Sequence, residues 1–100
     1  GRDTTAVLLT WCVYLLSSHP EVEEKLLKEF DEVIGDHAPT YKNTKNLSYC
    51  KQVLQETLRL YSPVPIDGFE AQKDCILPGG YFVEEGTLVA YAAHDLHRRK

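Results

Sequence analysis

Glu56 and Arg59 form the most suggestive charged pair in this sequence, because they stand three positions apart in a stretch with helical periodicity. This spacing places a carboxylate and a guanidinium on one helix face, away from the apolar stripe of the same helix. Spacing alone favours a solvated ion pair. If another layer covers that face, however, the pair must be satisfied by partners and fixes how the chain leaves the helix. The second interpretation predicts an architectural role rather than a catalytic one, because arginine does not deprotonate at usable pH.

An acid and two hydroxyls, Asp3, Thr4 and Thr5, precede the most apolar stretch of the chain. One interpretation is an N-terminal helix cap, in which these side chains accept hydrogen bonds from backbone N–H groups. The other is proton delivery, because a carboxylate beside a hydroxyl at the edge of a dry pocket can pass protons from solvent to a bound oxidant or substrate. Residue type and position leave both interpretations open.

Other reactive side chains do not form a recognisable site. His94 and His97 flank Asp95, but a metal site needs a further ligand at workable spacing, so we expect no metal site there. The three cysteines, Cys12, Cys50 and Cys75, fit neither a disulfide framework nor a zinc pattern. Motifs of common hydrolases and nucleotide-binding proteins are also missing from the sequence.

Composition is that of a globular domain of 100 residues, with 43% hydrophobic and 26% charged residues. The formal net charge is −4, and the basic cluster at 97–100 is short, so nucleic acid is not an expected partner. The longest apolar stretch, Ala6 to Leu16, is too short to span a bilayer.

The first half of the chain reads as helices. A helix over 3–16 is apolar on nearly every side, which predicts that it is buried. Ser18 and Glu21 have capping-box spacing around Pro20, which predicts the start of a second helix that ends near Gly35. Residues 36–46 are predicted to form a loop or one short helical turn.

A third helix is expected over 48–61, where Ser62-Pro63 stops it. Its predicted buried stripe consists of Leu47, Cys50, Leu54, Leu58 and Tyr61. After this helix the signals change to turns and short strands, near 69–72, 81–83 and 87–91, with a last helix or turn over 94–99. The predicted fold is therefore mainly α with a small antiparallel β region.

Four segments together resemble the cytochrome P-450 monooxygenases in order and spacing. They are Gly1-Arg2-Asp3-Thr4-Thr5, Glu56-Thr57-Leu58-Arg59, Pro63-Val64-Pro65 and His97-Arg98. The resemblance runs the full length of the chain. It implies that residues 1–100 are an internal fragment of one catalytic domain, comprising the end of the distal helix I, helices J and K, and a small β-sheet.

The resemblance also implies roles for individual residues. Asp3 and Thr4 match the acid-threonine pair that assists proton delivery, and Glu56 and Arg59 match the E-x-x-R structural ion pair. Val64, Pro65 and Ile66 match a segment that lines the substrate pocket. His97 and Arg98 are expected to contact the cofactor.

The implied cofactor is haem b, whose ligand cysteine is expected outside the fragment, because Cys12, Cys50 and Cys75 lack the neighbours of the family's F-x-x-G-x-x-x-C-x-G loop. We therefore expect no metal ligand in these residues and no activity from the fragment alone. Ser62 and Phe69 also depart from the family pattern, in which proline and a propionate-binding arginine are common.

Partners and location follow from the resemblance. They are O2, an apolar small-molecule substrate, an NADPH-dependent reductase, and the cytosolic face of the endoplasmic reticulum membrane through an N-terminal segment outside the fragment. The segment Leu77-Pro78-Gly79-Gly80 looks most like fungal alkane and fatty-acid hydroxylases. The alternative is a non-catalytic helical interaction module, or a degenerate relative that lacks the haem ligand.

Overall fold

The computed structural model describes residues 1–99, and the chain divides into two compact units, Gly1–Pro63 and Val64–Lys100. The first unit is helical and the second contains the strands. Lys100, which completes the basic cluster, lies outside the described residues. Within residues 1–99, no helix combines the length and apolar character that a membrane span requires.

The helical unit contains four helices: α1 (Arg2–Ser17), α2 (Pro20–Val33), α3 (Tyr41–Thr44) and α4 (Ser48–Leu60). The long helices α1, α2 and α4 pack against one another. The short helix α3 lies in the segment that was expected to be a loop or a single turn, and that expectation is confirmed.

Helix α1 buries one face. The covered residues recur at helical spacing and are Leu8, Trp11, Cys12, Leu15 and Leu16. On the other side Val13 is 69% exposed and Tyr14 is 60% exposed. The prediction that α1 is buried all round is therefore wrong for the described residues, because α2 and α4 cover a single side of it.

Helix α2 begins at Pro20 with His19 as its N-cap residue, so the capping box predicted at Ser18 and Glu21 is wrong. The carbonyl of His19 accepts hydrogen bonds from the first-turn amides, which places Ser18 outside the helix. The predicted stop at Gly35 is confirmed: its φ of +58° suits a residue without a Cβ, and its N–H donates to the Phe30 carbonyl at 3.1 Å.

The buried side of α4 differs from the predicted stripe by one position. Thr57 is 3% exposed, whereas Leu58 is 39% exposed. The Thr57 hydroxyl donates to the Val53 carbonyl at 2.8 Å, which satisfies its polar atom inside the helix. Thr57 can therefore lie on the side of α4 that packs against α1 and α2. The predicted burial of Leu58 is wrong, because its side chain lies at the edge of that packed side.

The second unit contains two separate two-stranded antiparallel sheets and a short helix. Strand β1 (Ile66–Glu70) pairs with β4 (Leu88–Ala92), and β2 (Cys75–Leu77) pairs with β3 (Tyr81–Val83). Helix α5 (Ala93–Leu96) follows directly. The expectation of strands is confirmed, but β1 begins three residues before the predicted position and β2 was not predicted.

Gly68 lets β1 and β4 approach closely. A Cβ added at this position would lie 2.9 Å from the Val89 carbonyl oxygen and 3.2 Å from the Ala90 Cα. Both contacts are with backbone atoms, which cannot turn aside as a flexible side chain can. The register of this sheet, in which Gly68 faces Ala90, therefore depends on the absence of a side chain.

Candidate functional site

Glu56 and Arg59 form a bidentate ion pair on α4. Arg59 Nε donates to Glu56 Oε2 at 2.8 Å, and an Arg59 terminal nitrogen donates to Oε1 at 2.6 Å. The hydrogen bonds from Arg59 hold the pKa of Glu56 below its ordinary value, so the pair stays charged. The Glu56 side chain is 57% exposed and the Arg59 side chain is 43% exposed. Because arginine keeps its proton, the pair suits a structural role rather than proton transfer.

A groove of about 380 Å³ runs beside this pair in the helical unit. Its walls come from the C-terminal half of α1, the start of α2 and nearly the whole length of α4. Apolar side chains dominate, with Leu15, Leu16, Val22, Val53 and Leu60 among them. Glu56 and Thr57 contribute the α4 edge, so the predicted ion pair borders an apolar groove.

Asp3 and Thr4 lie in the first turn of α1, where both are exposed. Thr4 Oγ donates to the Gly1 carbonyl at 3.4 Å, and Thr5 Oγ donates to the same oxygen at 2.9 Å. Asp3 Oδ1 accepts from Arg2 Nε at 3.3 Å. The capping interpretation is therefore wrong for these hydroxyls, because they donate to a carbonyl instead of accepting from backbone N–H groups.

The two predicted polar pairs do not form one site in the helical unit. The groove beside Glu56 reaches α1 at Cys12. Asp3 stands nine residues earlier on α1, which is about 14 Å along the helix axis. The carboxylate and hydroxyl lie at one end of α1, whereas the ion pair lies beside its other half. This separation indicates that the two pairs have different roles.

Glu29 on α2 accepts three hydrogen bonds from the start of α4, and its role was not predicted from the sequence. Its Oε1 accepts from the Tyr49 amide at 2.7 Å and from Ser48 Oγ at 3.1 Å, and its Oε2 accepts from the Cys50 amide at 2.8 Å. Partial burial raises the pKa of Glu29, but these hydrogen bonds outweigh it and the net pKa is lowered. Glu29 therefore caps α4 from another helix.

Trp11 links α1 to the end of α4. Its ring stacks on Tyr61 with the ring centroids 4.3 Å apart and the planes 18° apart. It also meets Tyr14 edge to face at 5.7 Å. The chain leaves α4 at Tyr61, so this stack fixes the end of the helix just before the Pro63-Val64 segment.

Val64, Pro65 and Ile66 open the second unit and are exposed. The Pro65 carbonyl accepts from the His94 amide at 3.2 Å, and Ile66 pairs with Ala92 in the β1–β4 ladder. The segment is thus tied by main-chain pairing to the end of β4 and by one backbone hydrogen bond to α5. Apolar side chains projecting from this held backbone suit contact with an apolar ligand.

His97 and Arg98 follow α5, and both are exposed. The His97 amide donates to the Ala93 carbonyl at 3.0 Å, and the Arg98 amide donates to the Asp95 carbonyl at 3.2 Å. These bonds fix the main chain at the end of a short helix, where two successive residues carry side-chain nitrogens. Such a pair suits an anionic group like a carboxylate.

The cysteines show no arrangement for binding metal. Cys12 is buried, and Cys50 and Cys75 are half-buried. Burial, together with the neighbouring Glu29 and Cys12, raises the pKa of the Cys50 thiol and so disfavours a thiolate. Among residues 1–99, no group of three or more His, Cys, Asp and Glu side chains is placed to hold a metal ion.

Comparison with known proteins gives a match to the cytochrome P450 family over residues 1–100. A Talaromyces variabilis protein named cytochrome P450 monooxygenase pvhE is 44% identical over 108 residues, covering 100% of this chain and 20% of that protein. Cytochrome P450 94A1 of Vicia sativa is 39% identical, covering 100% of this chain and 19% of that protein.

The name of a bacterial relative includes both a cytochrome P450 and a reductase. The bifunctional cytochrome P450/NADPH–P450 reductase 2 of Bacillus subtilis is 40% identical over 98 residues, covering 98% of this chain and 9% of that protein. The chain therefore spans about a fifth of the first two relatives and less than a tenth of this one.

Proposed function

The chain belongs to the cytochrome P450 family, and on that premise we propose that the protein containing it is a haem-thiolate monooxygenase. It inserts one oxygen atom from O2 into an apolar substrate. The observation that carries this proposal is the family match over residues 1–100, which includes both the acid-threonine pair and the E-x-x-R pair. The bidentate contact between Glu56 and Arg59 supports it further, because that pair is formed as the proposal requires.

The proposed cofactor is haem b. When bound, it supplies the activation of O2. His97 and Arg98 fit the edge of this group, because both carry exposed nitrogen donors of the kind that bind propionate carboxylates. Cys12 is buried, Cys50 and Cys75 are half-buried, and none of them has the neighbours of the family's cysteine loop, so they do not fit as its thiolate ligand. We therefore propose that a cysteine outside these 100 residues would supply that ligand.

Asp3 and Thr4 are proposed to deliver protons. The exposed Asp3 carboxylate takes a proton from solvent, and Thr4 Oγ holds the hydrogen that is passed on. Neighbouring helix positions point about 100° apart, so the two side chains do not face each other and a water molecule carries the proton between them. The long contact of 3.4 Å from Thr4 Oγ to the Gly1 carbonyl leaves this hydroxyl able to turn toward a better acceptor.

Glu56 and Arg59 are proposed to hold the fold around the cofactor, and Val64, Pro65 and Ile66 to line the substrate pocket. An alkane or fatty-acid chain is the proposed substrate class. This rests on two features: the resemblance of Leu77-Pro78-Gly79-Gly80 to fungal hydroxylases, and the apolar character of the 64–66 segment.

The proposed electron donor is an NADPH-dependent reductase. The name of the Bacillus subtilis relative supports this, because it joins a P450 and such a reductase. We place the protein at the cytosolic face of the endoplasmic reticulum membrane by family resemblance, with its attachment outside residues 1–100. The net charge of −4 argues against nucleic acid as a partner.

The proton-delivery roles are tested in the complete protein by measuring how much of the consumed O2 and NADPH appears as hydroxylated product. Thr4→Ala and Asp3→Asn should each lower the product-forming rate by roughly 10²-fold, while consumption of O2 continues.

Thr10→Ala is the matched control. The Thr10 hydroxyl also donates to a carbonyl of the preceding turn, that of Ala6 at 2.8 Å, and it lies six residues further along α1. This variant should keep the wild-type ratio of product to O2. Normal coupling in both Thr4→Ala and Asp3→Asn would overturn the assignment.

A further inference from the structure

The Glu29 carboxylate joins two helices that are distant in sequence. It lies on α2 and accepts three hydrogen bonds from the first turn of α4, two of them from backbone amides that are twenty and twenty-one residues away. Both carboxylate oxygens take part, so the side chain is held at two points. Because both oxygens are engaged, such a contact fixes the direction of the start of α4 relative to α2.

Helix α4 needs an outside partner at this end. Its N-cap residue is Leu47, a hydrocarbon side chain that cannot accept a hydrogen bond. Its first residues read Ser-Tyr-Cys-Lys, so the helix itself places no carboxylate near its positive end. Glu29 supplies both the missing acceptor and the missing negative charge from α2.

Apolar packing alone defines the position of α4 weakly. Of the described residues in the helical unit, the buried ones are Cys12, Leu26 and Thr57, and a groove remains open along α4. The carboxylate contact is directional, whereas apolar contacts allow sliding. Glu56 stands seven residues after Tyr49, about 10 Å along the same helix, so a shift at the start of α4 is carried to the ion pair.

We infer that Glu29 is a positioning residue for the Glu56–Arg59 pair, and that it acts by fixing the start of the helix that carries them. The inference rests on the proposed function, because the pair is taken to hold the haem-binding core. We propose no direct contact of Glu29 with cofactor or substrate. It acts through α4.

Haem dissociation from the complete protein is the main test, measured at a temperature where every variant is folded. Glu29→Gln keeps the size of the side chain and removes its charge. It should release haem about tenfold faster than wild type, the scale of losing an outer partner of a cofactor site. The matched control is Glu32→Gln on the same helix, whose exposed carboxylate lies 3.8 Å from Lys28 Nζ. It should release haem at the wild-type rate.

A double-mutant cycle separates positioning from general loss of stability. If Glu29 acts through the ion pair, Glu29→Gln combined with Glu56→Gln should release haem no faster than the faster single variant. Effects that multiply would overturn the inference, as would a Glu29→Gln rate equal to that of Glu32→Gln. Should Glu29→Gln not fold, Glu29→Asp enters the same cycle, because it retains the charge on a shorter side chain.

Hydrogen exchange at the Tyr49 and Cys50 amides distinguishes failure of the inference from failure of the proposed function. These amides should exchange faster in Glu29→Gln than in Glu32→Gln, whether or not haem is present. A wild-type protein without haem would overturn the proposed function. Unchanged exchange would overturn the positioning role by itself.

Discussion

The helical unit and the strand unit are held by different kinds of contact. Between α1, α2 and α4, the defining contacts join side chains distant in sequence, such as Glu29 with the amides of α4 and Trp11 with Tyr61. In the second unit, backbone ladders and turns carry the structure. Val83 is the buried hydrophobic residue among its described positions, and Phe69 is 68% exposed.

This difference shows what positions each group of candidate residues. The Glu56–Arg59 pair depends on how helices pack, because α4 is placed by contacts with α1 and α2. The 64–66 segment depends on backbone pairing, since Pro65 and Ile66 are held by hydrogen bonds of the main chain. Substitutions in the two units should therefore lower the free energy of unfolding for different reasons.

The largest expected effect is on packing in the helical unit. Leu26→Ala removes a side chain that is 8% exposed and should lower the free energy of unfolding by about 3 kcal/mol, since it leaves a cavity. Leu27→Ala is the matched control, because its side chain is 53% exposed. Urea unfolding followed by circular dichroism measures both, and equal losses would contradict the assigned packing face of α2.

In the strand unit, we expect a substitution that adds atoms to lower the free energy of unfolding more than one that removes them. Gly68→Ala places a Cβ against the backbone of β4 and should lower the free energy of unfolding by about 2 kcal/mol. Gln72→Ala, an exposed position just beyond β1, should change it by less than about 0.5 kcal/mol. The same urea titration compares them. A neutral Gly68→Ala would show that the two strands are not held at this spacing.

A smaller effect is expected from the aromatic stack between α1 and α4. A double-mutant cycle of Trp11→Leu and Tyr61→Leu should give a coupling free energy of about 1 kcal/mol, as for other aromatic pairs. The corresponding cycle with Tyr14→Leu should give less, because Tyr14 is 60% exposed. Equal couplings would mean that the stack does not define the end of α4.

The smallest expected change in the free energy of unfolding comes from the exposed Glu56–Arg59 pair, and this change depends on pH. Hydrogen bonds from Arg59 lower the pKa of Glu56 from its ordinary value of 4.5 in the folded chain. The stabilisation is therefore complete above pH 4.5 and is lost as the pH falls through the lowered value. Comparing unfolding of wild type and Glu56→Gln from neutral to acidic pH measures it, and high salt should reduce the difference. A difference that grew on acidification would contradict this sign.

Local patterns predicted the elements well, and contacts between elements poorly. Gly35 and Ser62-Pro63 marked the ends of α2 and α4 because backbone preferences act within a few residues. The role of Glu29 could not be found in this way, since its partners are about twenty residues away and its spacing resembles any surface glutamate. A hydrocarbon N-cap at Leu47 was the available signal that α4 needed an acceptor from elsewhere.

Within the candidate site, spacing predicted that Glu56 and Arg59 meet, because positions three apart share a helix face. Their neighbour Thr57 was missed as a buried residue, since a hydroxyl bonded to its own helix behaves as an apolar group. Pairing of β2 with β3 was also missed, because a strand of three residues is too short to show alternation.

We propose that the complete protein binds haem through a thiolate, and the first measurement to make is the carbon monoxide difference spectrum of the reduced protein. We expect the absorption band of a thiolate-ligated haem, in an amount that matches the bound iron. A folded complete protein without bound haem, or with haem lacking that band, would overturn this proposal and favour a non-catalytic relative.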